Sequence, residues 1–425
     1  MLPLSRKQAI DHQAEPVAPL GQNHQRLTSA KAKVTLPPQQ VHTITAKPLR
    51  LAVVTETWYP DINGVAHSLQ RILGGLLDLG VKVDLYYVEH DQAEVDSRLT
   101  YFPQKGFHLP FYHEVQIGFP RTRHLHKQWQ ENPPDIVQIV TEGLLGYSAM
   151  RAANQLAIPV ISDYRTNFQQ YSRSYHLGLF EPMVFTYLRH LHNKTQATLV
   201  PTVQLSKELS KLGFNNVRVM ARGIDTQAFN PCHRSADLRT QWGIADDGLV
   251  VLYVGRLALE KNLTLAVKAF RAIQTIEAQA QFVLVGDGPI RKTLAEANPD
   301  FIFCGMQTEQ ALHTHYASGD IFLSPSTTET FGNTILEAMA SALAVVSYDY
   351  AAAHEHIISG ENGLTAPFED EQGFIQQAQQ LAKEAELRQR LREKARLSIQ
   401  ENSWQAISQS LLDILYQHIE QPYHD

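Results

Sequence analysis

Short unbroken apolar runs alternate with stretches whose apolar residues recur every three or four positions, and this pattern fills the chain from Leu49 onward. Leu51-Ala52-Val53-Val54 is apolar on both faces it would present as a strand, which is the pattern of a strand buried in a parallel sheet. A helix is predicted over 65–79, closed by Gly80, and a second strand over 83–88. Strands over 136–140, 159–162 and 197–201 then alternate with helices over 144–156 and 204–212. A second series places strands at 250–254, 282–285, 302–304, 321–323 and 344–347, again with helical stretches between them. This alternation predicts an α/β fold of two doubly wound, Rossmann-like domains facing each other across a cleft. The region 89–134 is rich in aromatic residues and has no readable period, while 372–400 reads as one long helix and 404–419 as the last.

The boundaries follow from shifts in this pattern. Residues 1–48 form a Gln-, Pro- and His-rich tail in which Arg6, Lys7, Arg26, Lys31, Lys33 and Lys47 outnumber Asp11 and Glu15. With no sustained apolar period, the tail is expected to be disordered, a role at a membrane surface being the alternative. The first domain spans 49–221, a polar linker containing Pro231 spans 222–247, the second domain spans 248–402, and a closing helix occupies 403–425. The 425 residues, 44% hydrophobic and 19% charged, supply ample material for two cores. A net charge of -6 gives no support to nucleic-acid binding, and two cysteines, Cys232 and Cys304, indicate no disulfide framework and suit a reducing, cytoplasmic setting. No apolar run is long enough for a transmembrane helix.

The segment 326–340, STTETFGNTILEAMA, carries the most chemistry. Glu329 lies in a polar loop behind the apolar run 320–324, and Gly332 opens a helix with Ile335, Leu336 and Met339 at helical spacing. A helix start offers unpaired N–H groups and a positive dipole end, hence an anion site, and glycine lets a ligand approach the backbone. Glu337, eight positions after Glu329, lies one turn into the helix. Carboxylates flanking an anion site suit a ligand with phosphate in the middle and hydroxyls at both ends, such as a nucleotide sugar. Thr334–Glu337 also has capping-box spacing, which is the structural alternative. In 251–270 an apolar strand ends at Gly255, Arg256 follows, and a helix is predicted to begin near 260–262. Lys261 then opposes the helix dipole by roughly 0.3–1 kcal/mol, a placement that a bound anion explains. Arg256 offers a fork for phosphate oxygens and Lys261 a mobile point charge; solvated surface cations are the alternative.

Arg256, Lys261, and the Glu329/Glu337 spacing together resemble the donor-site signature of retaining glycosyltransferases of GT-B architecture, family 4. The stretches 55–65 (TETWYPDINGV), 282–289 (FVLVGDGP), 361–370 (ENGLTAPFED) and Arg222-Gly223-Ile224-Asp225 agree with that family. The resemblance implies an acceptor-side first domain and a donor-binding second domain, with the last helix crossing back to the first. It implies catalytic roles for Arg256, Lys261 and Glu329, and donor contacts from Gly64, Phe331, Gly332, Asn333, Thr334 and Glu337 besides these three. Glu142, after the strand 136–140, and Arg165 are acceptor or sugar contacts on this reading. Many relatives carry histidine where Arg165 stands, so Arg165 either meets an anionic group or pairs with Asp163. The expected partners are a nucleotide-sugar donor and a lipid or glycan acceptor, with peripheral contact at the inner face of a membrane, to which the aromatic stretches 101–119 and 171–185 contribute unless they are core. The resemblance implies no cofactor. The 19 histidines include pairs at 190/192, 313/315 and 354/356, but no set completes a zinc pattern, so no metal is expected. A nucleotide-sugar epimerase and a non-catalytic nucleotide-sugar-binding protein are the rival readings.

Overall fold

The computed structural model describes residues 48–60, 64–89, 96–109, 112–165, 181–245 and 248–420. The expectation for the tail, and the turn at 61–63, therefore lie outside the described residues. In the first lobe β1 (Arg50–Thr55), α1 (Gly64–Asp78), β2 (Lys82–Val88), β3 (Thr100–Gln104), β4 (Gly106–Leu109), β5 (Tyr112–Gly118), α2 (Thr122–Glu131), β6 (Ile136–Ile139), α3 (Leu144–Gln155), β7 (Val160–Asp163), α4 (Glu181–His192), β8 (Ala197–Val200), α5 (Val203–Lys211) and β9 (Val217–Val219) follow in order. Seven of these strands form one sheet in the order β3-β2-β1-β6-β7-β8-β9, every pairing parallel.

The second lobe runs α6 (Ala236–Gln241), β10 (Val250–Val254), α7 (Leu263–Gln274), β11 (Gln281–Val285), α8 (Arg291–Ala297), β12 (Ile302–Gly305), α9 (Glu309–Ala317), β13 (Ile321–Ser324), α10 (Asn333–Ala340), β14 (Ala344–Tyr348), α11 (Ala351–His356), β15 (Leu364–Ala366), α12 (Glu371–Lys383) and α13 (Ala385–Ser398). Its sheet is also parallel, in the order β12-β11-β10-β13-β14-β15. Both sheets belong to one compact unit. Between them, Phe229, Trp242 and Ile244 are buried with Val250, Leu252 and Val283, so much of 222–247 packs into the second lobe.

Two stretches differ from the sequence expectation. The described residues between 89 and 134 are organised, holding β3, the antiparallel β4–β5 pair and α2. Their aromatic residues are partly core: Tyr86 stacks on Phe102, Trp129 meets Tyr86 edge-on and donates its indole N–H to the Tyr86 hydroxyl at 3.0 Å. Phe107 and Phe119 by contrast are exposed and adjacent. The long helix 372–400 is two helices broken at Glu384, whose ψ of 84° leaves the helical range. Arg388 there donates to the carbonyls of Leu381 and Ala382, satisfying the end of α12, so the break exposes no unpaired backbone at these two positions.

The chain closes with α14 (Trp404–Glu420), which returns to the first lobe and buries Ile407, Leu411 and Leu415 among Leu69, Ile72, Leu73 and Leu76 of α1. Small residues set this crossing. The Ser408 hydroxyl donates to the Ile72 carbonyl at 3.2 Å, and a Cβ on Gly75 would lie 2.7 Å from the Ser408 Cβ. The lobes also touch directly: the Glu355 carboxylate of α11 accepts from Val203 N (2.9 Å) and Gln204 N (3.3 Å) at the positive end of α5. Neighbouring glycines in α1 should therefore respond oppositely to alanine. Gly75→Ala is expected to cost about 1–3 kcal/mol by overpacking. Gly74→Ala, with open space beside it, should gain about 0.5–1 kcal/mol. Urea unfolding midpoints check both.

Candidate active site

In the second sheet β10 lies between β11 and β13, so the loops leaving their C-terminal ends diverge and open a crevice. The loop after β10 is pressed against 286–288: Leu257 N donates to Asp287 O (2.8 Å) and Ile290 N to Leu257 O (3.1 Å). Gly286, at a φ of +134°, leaves no room for a side chain because its Cβ would strike the Gly255 carbonyl. Arg256 projects from this loop, exposed, with no side-chain hydrogen bond or ion pair among the described residues. A 3-10 turn, Leu259–Lys261, and Asn262 in the left-handed conformation then lead into α7, so the α-helix itself begins at Leu263.

That turn delivers Lys261 to Glu329, its Nζ donating to Oε1 at 2.6 Å. Burial alone would raise the Glu329 carboxyl, but the Lys261 charge, with hydrogen bonds from Lys261 and Ser326, holds it below its ordinary value. The loop around it is fixed by Thr328 Oγ1 donating to Glu260 O (3.0 Å), Tyr350 Oη to Glu329 O (2.7 Å) and Ala352 N to Phe331 O (2.8 Å). Phe331 is buried against His356, whose imidazole burial pushes down to about 4. Gly332 turns into α10 at a φ of +93°, and no side chain caps that helix. Its first N–H groups, at Asn333 and Thr334, are thus left without a side-chain cap. From the other lobe Gly64, the first residue of α1, comes to meet them: its Cβ position is 3.5 Å from Asn333 Nδ2.

Glu337 takes no part in capping α10, since it accepts from Tyr316 Oη at 2.7 Å. Burial pushes its carboxyl up to about 7, against the opposing pull of the Tyr316 hydrogen bond. Tyr316 and Tyr350 were not legible as site residues, because their partners lie 21 positions away in each case.

The first lobe brings its own polar groups to the C-terminal ends of β1, β6 and β7. Glu56 accepts from Leu145 N (3.0 Å) and Gly118 N (3.2 Å), and burial pushes its carboxyl up to about 7 despite those bonds, with Glu142 adding to the rise. Glu142 is buried, its Oε1 3.6 Å from Nε2 of the buried His192, which is anchored by Ser162 Oγ at Nδ1 (2.8 Å). Arg165 is ion-paired with Asp163, its Nε and Nη2 donating to Oδ2 at 2.7 and 2.5 Å, while Nη1 donates to Ser68 Oγ at 2.9 Å. Glu142 and Arg165 make no bond to the second-lobe group among the described residues. All three histidine pairs lie on helices, α4, α9 and α11. No cluster of three or more His, Cys, Asp or Glu among the described residues could hold a metal ion.

A cationic loop, an uncapped helix start and two carboxylates thus gather at the switch point of the second of two Rossmann-like sheets, and two such sheets in one chain are the GT-B architecture. Residues 62–228 match the family described as "Glycosyltransferase Family 4" and residues 248–384 the one described as "Glycosyl transferases group 1". The chain is 33% identical over 326 residues to a GDP-mannose-dependent alpha-mannosyltransferase of Corynebacterium glutamicum, covering 75% of this chain and 76% of that one. It is 28% identical to an alpha-monoglucosyldiacylglycerol synthase of Streptococcus pneumoniae, over 71% of each. Among solved structures, sucrose-phosphate synthase from Thermosynechococcus elongatus superposes with a TM-score of 0.71 at 17% identity, covering 87% of this chain and 98% of that one. The protein belongs to glycosyltransferase family 4, group 1, and is a glycosyltransferase.

The raised Glu337 carboxyl has a stability consequence. Its folded value near 7 exceeds the ordinary 4.5, so the folded state holds the proton more tightly. That contribution is complete below about 4.5 and is lost as pH rises through about 7. Glu337→Gln keeps a group that accepts from Tyr316 and removes the titration. Its denaturation midpoint should gain on wild type as pH is raised from 5 to 8; a constant gap across that range would contradict the assignment.

Proposed function

We propose that the protein is a retaining hexosyltransferase that moves a sugar from a UDP- or GDP-linked donor to a hydroxyl of a lipid or lipid-linked glycan. The observation that carries this reading is the Lys261–Glu329 pair beside the uncapped start of α10, with Gly64 facing it from the other lobe. A pyrophosphate at the helix start would draw Lys261 to itself and, with Arg256, have its departing charge neutralised. Glu329, released from Lys261, would then accept hydroxyls of the transferred sugar, and Glu337 those of the ribose. As the C1–O bond to the leaving group breaks, the acceptor oxygen bonds to C1 from the same face and passes its proton to a phosphate oxygen. This route needs neither a protein base nor a metal. GDP-mannose is the first donor to test, since the Corynebacterium relative is named for it, and the Streptococcus relative's name supports a diacylglycerol-type acceptor. A lipid acceptor implies work at the cytoplasmic face of a membrane; among the described residues no helix is long and apolar enough to cross one.

Placed groups that stabilise a leaving charge are worth about 10²–10³ in turnover. Arg256→Ala and Glu329→Ala are each expected to lower the rate of nucleoside diphosphate release in the presence of acceptor by that order. Wild-type rates in both well-folded variants would overturn the assignment. Interconversion of the donor sugar without acceptor would identify an epimerase instead, and binding without any release a non-catalytic binding protein.

A further inference from the structure

Arg222, at the exit of the first sheet just after β9, is buried to 7% exposure yet makes no side-chain hydrogen bond or ion pair among the described residues. Its Nη1 is sealed from solvent without an acceptor. The charges that act on it are those of Arg165 and Asp163. Asp163 is already engaged elsewhere: Oδ2 takes two bonds from Arg165 and Oδ1 one from Gln138 Nε2 at 2.9 Å. Two buried guanidinium groups thus share one carboxylate, leaving an uncompensated positive charge. Burial first, and Arg165 second, pull the Arg222 guanidinium down to about 9. An unpaired buried charge is among the costliest features a fold can retain, so its persistence calls for a partner supplied from outside.

Its position identifies the kind of partner. Arg165 Nη1 donates to Ser68, which stands one helical turn after Gly64 on α1, and Gly64 meets Asn333 at the start of α10. The cluster therefore lies about one turn from the place where the two lobes meet, on the side of the first sheet. We propose that Arg222, with Arg165 beside it, forms an anion subsite that takes an oxyanion group (phosphate, carboxylate or sulfonate) carried by the acceptor or by the transferred sugar. This is separate from the pyrophosphate site at Arg256 and Lys261, and it draws on the glycosyl-transfer reading only for which molecule carries the anion.

The test begins without turnover. Thermal unfolding of wild type, Arg222→Met, Arg222→Lys and Arg256→Met is followed with and without inorganic phosphate, and separately with GDP. Because Met removes a buried unpaired charge, Arg222→Met should unfold at or above the wild-type temperature in phosphate-free buffer. It should lose the phosphate-dependent rise while keeping the response to GDP, Arg222→Lys should keep a reduced rise, and Arg256→Met should show the reverse selectivity. An Arg222→Met protein that unfolds earlier than wild type and still responds to phosphate would overturn the subsite and make Arg222 structural. Loss of the GDP response in wild type would count against the donor site alone. Sources are separated by turnover with acceptors differing only in a phosphate and with UDP-glucose against UDP-glucuronate. Arg222→Lys should raise KM at least tenfold for one charged partner, acceptor or donor, with its uncharged counterpart unmoved. Equal KM values across all four substrates would refute the proposal.

Discussion

In each sheet the order in which strands are added reverses at one strand, β1 between β2 and β6 and β10 between β11 and β13. Loops leaving such a strand and its neighbour must part company, and the gap between them cannot be filled by either helix layer. Most of the site's polar groups leave strands that flank such a gap. The exit of β10 supplies Arg256 and Lys261, the exit of β13 supplies Glu329, the exit of β1 leads to Gly64, and the exit of β6 carries Glu142. Apolar strands with no polar face, such as β1 and β13, make the reversal rigid, so the loops are aimed by the cores beneath them.

Three buried or half-buried charges in this region are handled in three different ways. Glu329 is neutralised by a cation, Lys261. Burial pushes the Glu337 carboxyl up to about 7, outweighing the Tyr316 hydrogen bond that favours its ionised form. Arg222 has neither solution available, because guanidinium does not give up its proton at neutral pH and the carboxylate that acts on it is already engaged. The three positions thus differ in kind: an ion pair, a carboxyl whose affinity for its proton is raised, and a guanidinium without a bonded carboxylate among the described residues.

Much of this was legible in advance because the informative residues sit next to strong periodic signals. Gly332 and Glu337 could be placed on a helix start, and Arg256 after a strand, from apolar spacing alone. What escaped has physical reasons. The region 89–134 mixes core aromatics such as Trp129 with exposed ones such as Phe119, so hydrophobicity has no period to follow. The break at Glu384 lacks glycine or proline and is stabilised by Arg388, a contact between residues seven apart that periodicity does not register. Tyr316, Tyr350 and Glu355 act only through partners brought close by the sheet, and nothing local distinguishes them from ordinary helix or loop residues.

Seven residues, 350–356, carry both a clamp and a latch. Tyr350 and Ala352 hold the backbone of Glu329 and Phe331, while Glu355 grips the first turn of α5 in the opposite lobe. α11 is a single short piece, too stiff over one and a half turns to let its two ends move separately. Any swing of the lobes that loosens Glu355 must therefore tug on the carbonyl of Glu329, so parting the lobes and relaxing the loop that carries this carboxylate are one mechanical event.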